Sequence, residues 1–70
     1  MKRNRIKEEL IKTGRKQTWL AQQLGKSFAI VNEYCNNKRQ PSIEVLYETA
    51  SILGIEAKDL LMDKKDLKAK

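Results

Sequence analysis

Few side chains in this sequence are equipped to make or break bonds. There is no histidine, and the single cysteine, Cys35, has no candidate base near it. A nucleophile needs such a base or a depressed pKa, and general acid–base work needs groups tuned toward neutral pH. No glycine-rich phosphate loop is present either, since only three glycines punctuate the chain. One cysteine and no histidine also exclude a disulfide framework and an ordinary zinc site. No catalysis is expected, and no cofactor, metal or small-molecule ligand. What the sequence offers instead is charge. Fifteen Lys and Arg against nine Asp and Glu give a formal +6, and a basic surface favours polyanions by releasing their counterions, with nucleic acid the first candidate. The excess is uneven: Lys2, Arg3, Arg5, Lys7, Lys12, Arg15 and Lys16 crowd the start, whereas Glu44, Glu48, Glu56 and Asp59 mark a more acidic later region. Such asymmetry suggests one face for phosphate and another for something else. The plainer alternative is that lysine-rich faces keep a small domain soluble.

Any site must be positioned by one small domain, because 70 residues leave no room for a second core. Without disulfide or metal, stability has to come from regular helix packing and possibly a second copy of the chain. Each glycine and the one proline fall between stretches of helical periodicity, so the chain reads as an all-α bundle of about five short helices. The first spans about residues 3–13, with Ile6, Leu10 and Ile11 on one stripe and Gly14 ending it in the left-handed conformation. A second, about 17–24, turns Leu20, Ala21 and Leu24 inward with Trp19 at the edge, and Gly25 closes it. Ser27 can cap a third, about 27–36, burying Val31, Tyr34 and Cys35. Two helices joined by so short a glycine turn cannot lie antiparallel and must cross steeply, which is helix-turn-helix geometry.

A polar loop from Asn36 to Pro41 follows, and Ser42 caps a fourth helix to about Leu53 with Ile43, Leu46, Tyr47, Ala50 and Leu53 as its apolar face. After Gly54, a short fifth helix from Ile55 to about Met62 should bury Ile55, Leu60 and Leu61. Residues 1–62 thus form the domain, and 63–70, DKKDLKAK, a charged tail expected to fray. No apolar run approaches the roughly 20 residues that span a bilayer, and the basic start MKRNRIKEEL lacks an apolar stretch after it. The reading is a soluble, unexported cytoplasmic protein with no membrane partner, to which an unpaired cysteine is suited.

The segment QTWLAQQLGKSFAIVNEYCNNKRQPS, residues 17–42, carries a resemblance. It resembles the lambda-repressor-like, or Cro/XRE, helix-turn-helix family, whose pattern runs x-Q-x-x-L-A-x-x-L-G-x-S, then an Ile/Val-containing recognition helix, a polar N-G-K-R-like loop, and P-S opening the next helix. Gln17, Leu20, Ala21, Leu24, Gly25, Ser27, Val31, Asn36, Lys38, Arg39, Pro41 and Ser42 agree with it in order and spacing, and the likeness continues through LYETASILGI. The resemblance implies sequence-specific binding of double-stranded DNA as a transcriptional regulator, a repressor by the commonest pattern, with the third helix in the major groove. It implies base-reading positions at Ser27, Phe28, Ala29, Asn32 and Glu33. Asn32 suits the N6 and N7 edge of adenine, Glu33 can accept from cytosine N4, and Ala29 or Phe28 can pack on a thymine methyl. It also implies phosphate contacts from Gln17 at the start of the second helix, from Asn36, Lys38 and Arg39 after the third, and from Arg5.

Two alternatives stand beside these roles: Phe28 can pack on protein, and Glu33 can pair with a nearby Arg or Lys. The sequence departs from the family at Leu10 and Cys35, where members often place a partly buried Arg–Glu pair. Two apolar groups there avoid desolvating two charges, which makes Cys35 a buried structural thiol. Asn37 replaces a glycine but tolerates a left-handed turn, whereas Lys16 replaces a capping Thr at a cost of about 1 kcal/mol. One domain reads only a half-site, so a homodimer on a pseudo-palindromic operator is expected, joined near Ile55 and the neighbours of Leu60. A phage-type repressor, a restriction-modification controller and an antitoxin all fit. The rival function is a protein-interaction module that uses the apolar FAIV surface.

Overall fold

Each stretch with helical periodicity becomes a helix, and the same device ends most of them. The computed structural model describes residues 4–61 and holds four α-helices and one 3-10 turn. These are α1 (Ile6–Thr13), α2 (Gln17–Leu24), α3 (Phe28–Cys35), α4 (Ile43–Leu53) and the turn Ala57–Leu60. Lys2, Arg3, Met62 and the tail 63–70 lie outside the described residues. At the end of α2, Gly25 takes φ +68°, its N–H reaching Gln22 C=O at 3.3 Å while Lys26 N–H reaches Ala21 C=O at 3.0 Å. That paired return satisfies carbonyls the helix would otherwise leave open. Gly14 and Gly54 close α1 and α4 in the same way. Ser27 and Ser42 start α3 and α4, each accepting at its Oγ from the backbone N–H three residues on, at 3.2 Å.

The core is one cluster drawn from every element: Ile6 and Leu10, Leu20 and Ala21, Val31, Tyr34 and Cys35, Leu46 and Ala50, and Leu60. α2 packs chiefly on α3, and α4 on the 3-10 turn. Leu10 and Cys35 are both buried, as the apolar replacement of an ion pair requires. Burial pushes the Cys35 thiol up to about 11, with Lys7 pulling weakly the other way. It is therefore a protonated thiol at neutral pH.

Several sequence-based assignments need correction. α1 begins at Ile6, not at residue 3, because Asn4 is in an extended bridge with Leu61 and Arg5 N–H bonds to Leu60 C=O at 2.8 Å. Ile11 is 71% exposed, since α1 buries only the Ile6–Leu10 line and the next residue turns past its edge. Ile43 and Tyr47 are exposed too. The buried side of α4 runs through Leu46, Thr49 and Ala50 instead. Thr49 can be wholly buried because its hydroxyl donates to Val45 C=O at 2.8 Å, leaving no unpaired polar atom. The fifth element is one 3-10 turn, bounded by reciprocal hydrogen bonds between Glu56 and Asp59; it buries Leu60 but leaves Leu61 exposed. Among the described residues no helix is long and apolar enough to cross a membrane.

Candidate nucleic-acid interface

Gly25 and Ser27 together decide which way α3 faces. The left-handed residue reverses the chain, the serine fixes the first turn, and Leu20, Ala21 and Val31 lock α3 against α2. Ala21 leaves room for the helices to approach at that point. With Val31, Tyr34 and Cys35 inward, Ser27, Phe28 and Ala29 are exposed, and Asn32 and Glu33 are half-buried on the outer side. Phe28 is 50% exposed, whereas Ile30 packs on the core. The apolar FAIV run is thus split between inside and outside, which leaves only Phe28 and Ala29 as an outward apolar surface.

Three candidate side chains meet as a chain of amides. Asn32 Nδ2 donates to Gln17 Oε1 at 2.9 Å, and Asn36 Nδ2 donates to Asn32 Oδ1 at 3.1 Å. A carboxamide has two N–H donors and two acceptor lone pairs. With the chain running in either direction, the middle amide keeps one donor and one acceptor. Gln17 therefore does two things: it opens α2 and it braces Asn32 across the gap between the helices. α2 itself has no side-chain cap at Lys16, as expected, so its first-turn amides have no intramolecular side-chain acceptor there.

Glu33 and Arg39 pair with each other. Arg39 Nε donates to Glu33 Oε1 at 2.7 Å, and the pair lies at the surface, with both side chains partly open to solvent. Accepting that hydrogen bond, together with its charge, lets Glu33 push the Arg39 guanidinium above its ordinary value. An exposed pair of this kind is easily exchanged for another partner, because water and salt screen it. Lys38 is exposed beside it. Arg5 is not grouped with these residues. It lines a separate groove with Glu9, Lys12, Ile55, Lys58, Asp59 and Leu61, none of them another candidate DNA contact.

Two features were not read from the sequence. Arg15 lays its guanidinium over the Trp19 ring, 4.5 Å from the centroid, so a positive charge sits beside the start of α2. Their i, i+4 spacing was the available signal. The second is Asn4, only 2% exposed and bonded to residues thirty or more positions later. An Asn just ahead of an apolar stripe signals a helix cap and nothing of those distant partners.

Residues 6–60 match the helix-turn-helix family model. The crystal structure of a candidate DNA-binding protein from Bacteroides fragilis superposes on this fold with a TM-score of 0.84 and 39% sequence identity, covering 84% of this chain and 95% of that one. No curated protein sequence matches this chain. With the family match spanning α1 through the 3-10 turn, and α2 leading through Gly25 and Ser27 into an outward-facing α3, the chain belongs to the lambda-repressor-like, Cro/C1-type helix-turn-helix family.

Proposed function

We propose that this protein binds double-stranded DNA sequence-specifically as a transcriptional repressor, with α3 in the major groove. The observation that carries the reading is the braced Asn32. One free donor and one free acceptor on a side chain held from both sides complement adenine, which offers N7 as acceptor and N6 as donor. Ser27, Phe28 and Ala29 line the leading end of the same surface, where Phe28 and Ala29 suit thymine methyl groups. Gln17, Asn36, Lys38 and Arg39 flank it as phosphate contacts, and the open amides of α2 add to them. Glu33 reads cytosine only when Arg39 leaves it for a phosphate. Arg5, which faces its own groove, is the weakest of the backbone contacts proposed.

The protein acts as a homodimer on a pseudo-palindromic operator whose half-sites lie about one helical turn apart. Exposed Tyr47 and Leu61, with half-buried Ile55 between α4 and the 3-10 turn, give the apolar surface for that contact. Selecting bound duplexes from a random pool tests the reading directly: an inverted repeat is expected. Asn32→Ala should then relax preference at one base position, while Gln17→Ala weakens all sequences and also loosens that position. An equal loss on every sequence for Asn32→Ala would remove it from the base-reading set. A salt titration separates DNA binding from an apolar protein contact through FAIV, since only the former weakens steeply with salt. Sedimentation showing one chain per site would overturn the dimer.

A further inference from the structure

α1, α2 and α4 end on glycine, but α3 is followed by Asn37 at φ +57°, and the backbone does there what it does at the glycines. Asn37 N–H returns to Tyr34 C=O at 3.1 Å and Lys38 N–H to Glu33 C=O at 2.9 Å. Glycine would make this turn with less strain, so the side chain is the feature to explain. Its Oδ1 accepts from Asn4 N–H at 2.9 Å, and its Nδ2 donates to Asn4 C=O at 3.3 Å. Asn4 answers with its own amide, which donates to Tyr34 C=O at 3.0 Å and to Gln40 Oε1 at 2.9 Å and accepts from Ile6 N–H at 3.1 Å. Gln40 closes the ring by donating to Asn37 Oδ1 at 3.2 Å.

We propose that Asn4 is a positioning residue for DNA binding, holding the loop from Asn36 to Gln40 in register with α3 so that Lys38 and Arg39 meet phosphates while α3 meets bases. This rests on the DNA-binding reading above. Burying an amide costs free energy unless its hydrogen bonds are made. Its side-chain bond to Gln40 and its main-chain bonds to Asn37 are made only when the loop lies where it does, and the amide that reaches Gln40 is fixed from Tyr34 and Ile6, so the network selects one loop position and an apolar side chain would lose the Gln40 bond. Anchoring α1 does not require it, since Ile6 and Leu10 already bury that helix in the core. Asn4 also pairs with Leu61, which ties the loop to the far end of the domain.

The test compares wild type, Asn4→Ala and Asn37→Gly for binding to a mixed-sequence duplex and to a selected operator across a salt series, with thermal unfolding in parallel. Asn37→Gly keeps the left-handed turn and removes both bonds from its side chain to the Asn4 main chain and the one from Gln40, releasing the loop from residue 4, so it carries the test even where Asn4→Ala does not fold. Loss of two phosphate contacts predicts a log–log salt slope shallower by about 2 and affinity about tenfold lower at low salt, alike on both duplexes. Base preference in a selection should stay that of the wild type. A folded variant with the wild-type slope, whether its affinity is unchanged or lowered evenly at every salt, overturns the positioning role and leaves DNA binding standing. A wild-type chain that shows no salt-dependent duplex binding overturns the underlying reading, and this inference with it.

Discussion

The two ends of α3 use one backbone motif and hold it by opposite means. At the leading end, Gly25 makes the left-handed turn and Ser27 starts the helix, and every partner involved lies within five residues along the chain. At the trailing end Asn37 makes the same turn, but the chain that grips it comes from Asn4, 33 residues upstream. The first end is self-contained and sets where α3 points. The second exists only once the domain has closed, and it sets where the basic loop sits relative to α3. On the proposed reading, a helix that enters a groove and aligns phosphate contacts beside it needs both, which would encode aim and register separately.

This contrast can be broken at several depths. Removing the support common to both ends should have the largest effect: Leu20→Ala empties a fully buried site between α2 and α3 and should cost about 3 kcal/mol, read by urea unfolding. A loss below about 1 kcal/mol would mean the two helices are not held by that contact. Next, Cys35 reports on the trailing end. Its thiol is raised from 9.0 to about 11 by burial, so the folded chain holds that proton more tightly than the unfolded chain. Its contribution is whole below pH 9.0 and is lost as pH climbs through about 11, amounting to roughly 3 kcal/mol. Stability profiles of wild type and Cys35→Ala that ran parallel over this range would show the thiol is not buried as described.

A smaller effect belongs to the leading end alone. Ser27→Ala removes one local cap and should cost about 1 kcal/mol, without altering the salt slope of DNA binding. That outcome would be the reverse of the one expected for Asn37→Gly, and a shared phenotype would erase the distinction between aim and register. Smallest in stability is Glu33→Gln, which frees exposed Arg39 and should leave the melting temperature nearly unchanged. Binding to mixed-sequence duplex should instead strengthen several-fold with a slope close to that of the wild type, as Arg39 reaches its phosphate without first leaving Glu33. Unchanged binding would place Arg39 away from the duplex.

What could be read from the sequence were the features whose causes are local. Glycine closes three helices because of its own backbone freedom, Ser27 and Ser42 cap because a hydroxyl lies three residues from an open amide, and Leu20, Ala21 and Val31 face inward by period alone. Asn37 could be assigned its turn for the same reason. Period could not tell which of several apolar residues at the edge of a stripe is covered, so Ile11, Ile43 and Tyr47 were expected inside and lie outside. That choice depends on where neighbouring elements end, as the use of Thr49 in place of Tyr47 shows. The pairing of Glu33 with a nearby Arg was an open alternative in the sequence, whereas the Gln17–Asn32 bond and the Asn4 network were decided by tertiary structure alone. Hydrogen bonds between residues far apart in sequence form only after packing brings them within about 3 Å, and no local pattern of residue types carries that distance.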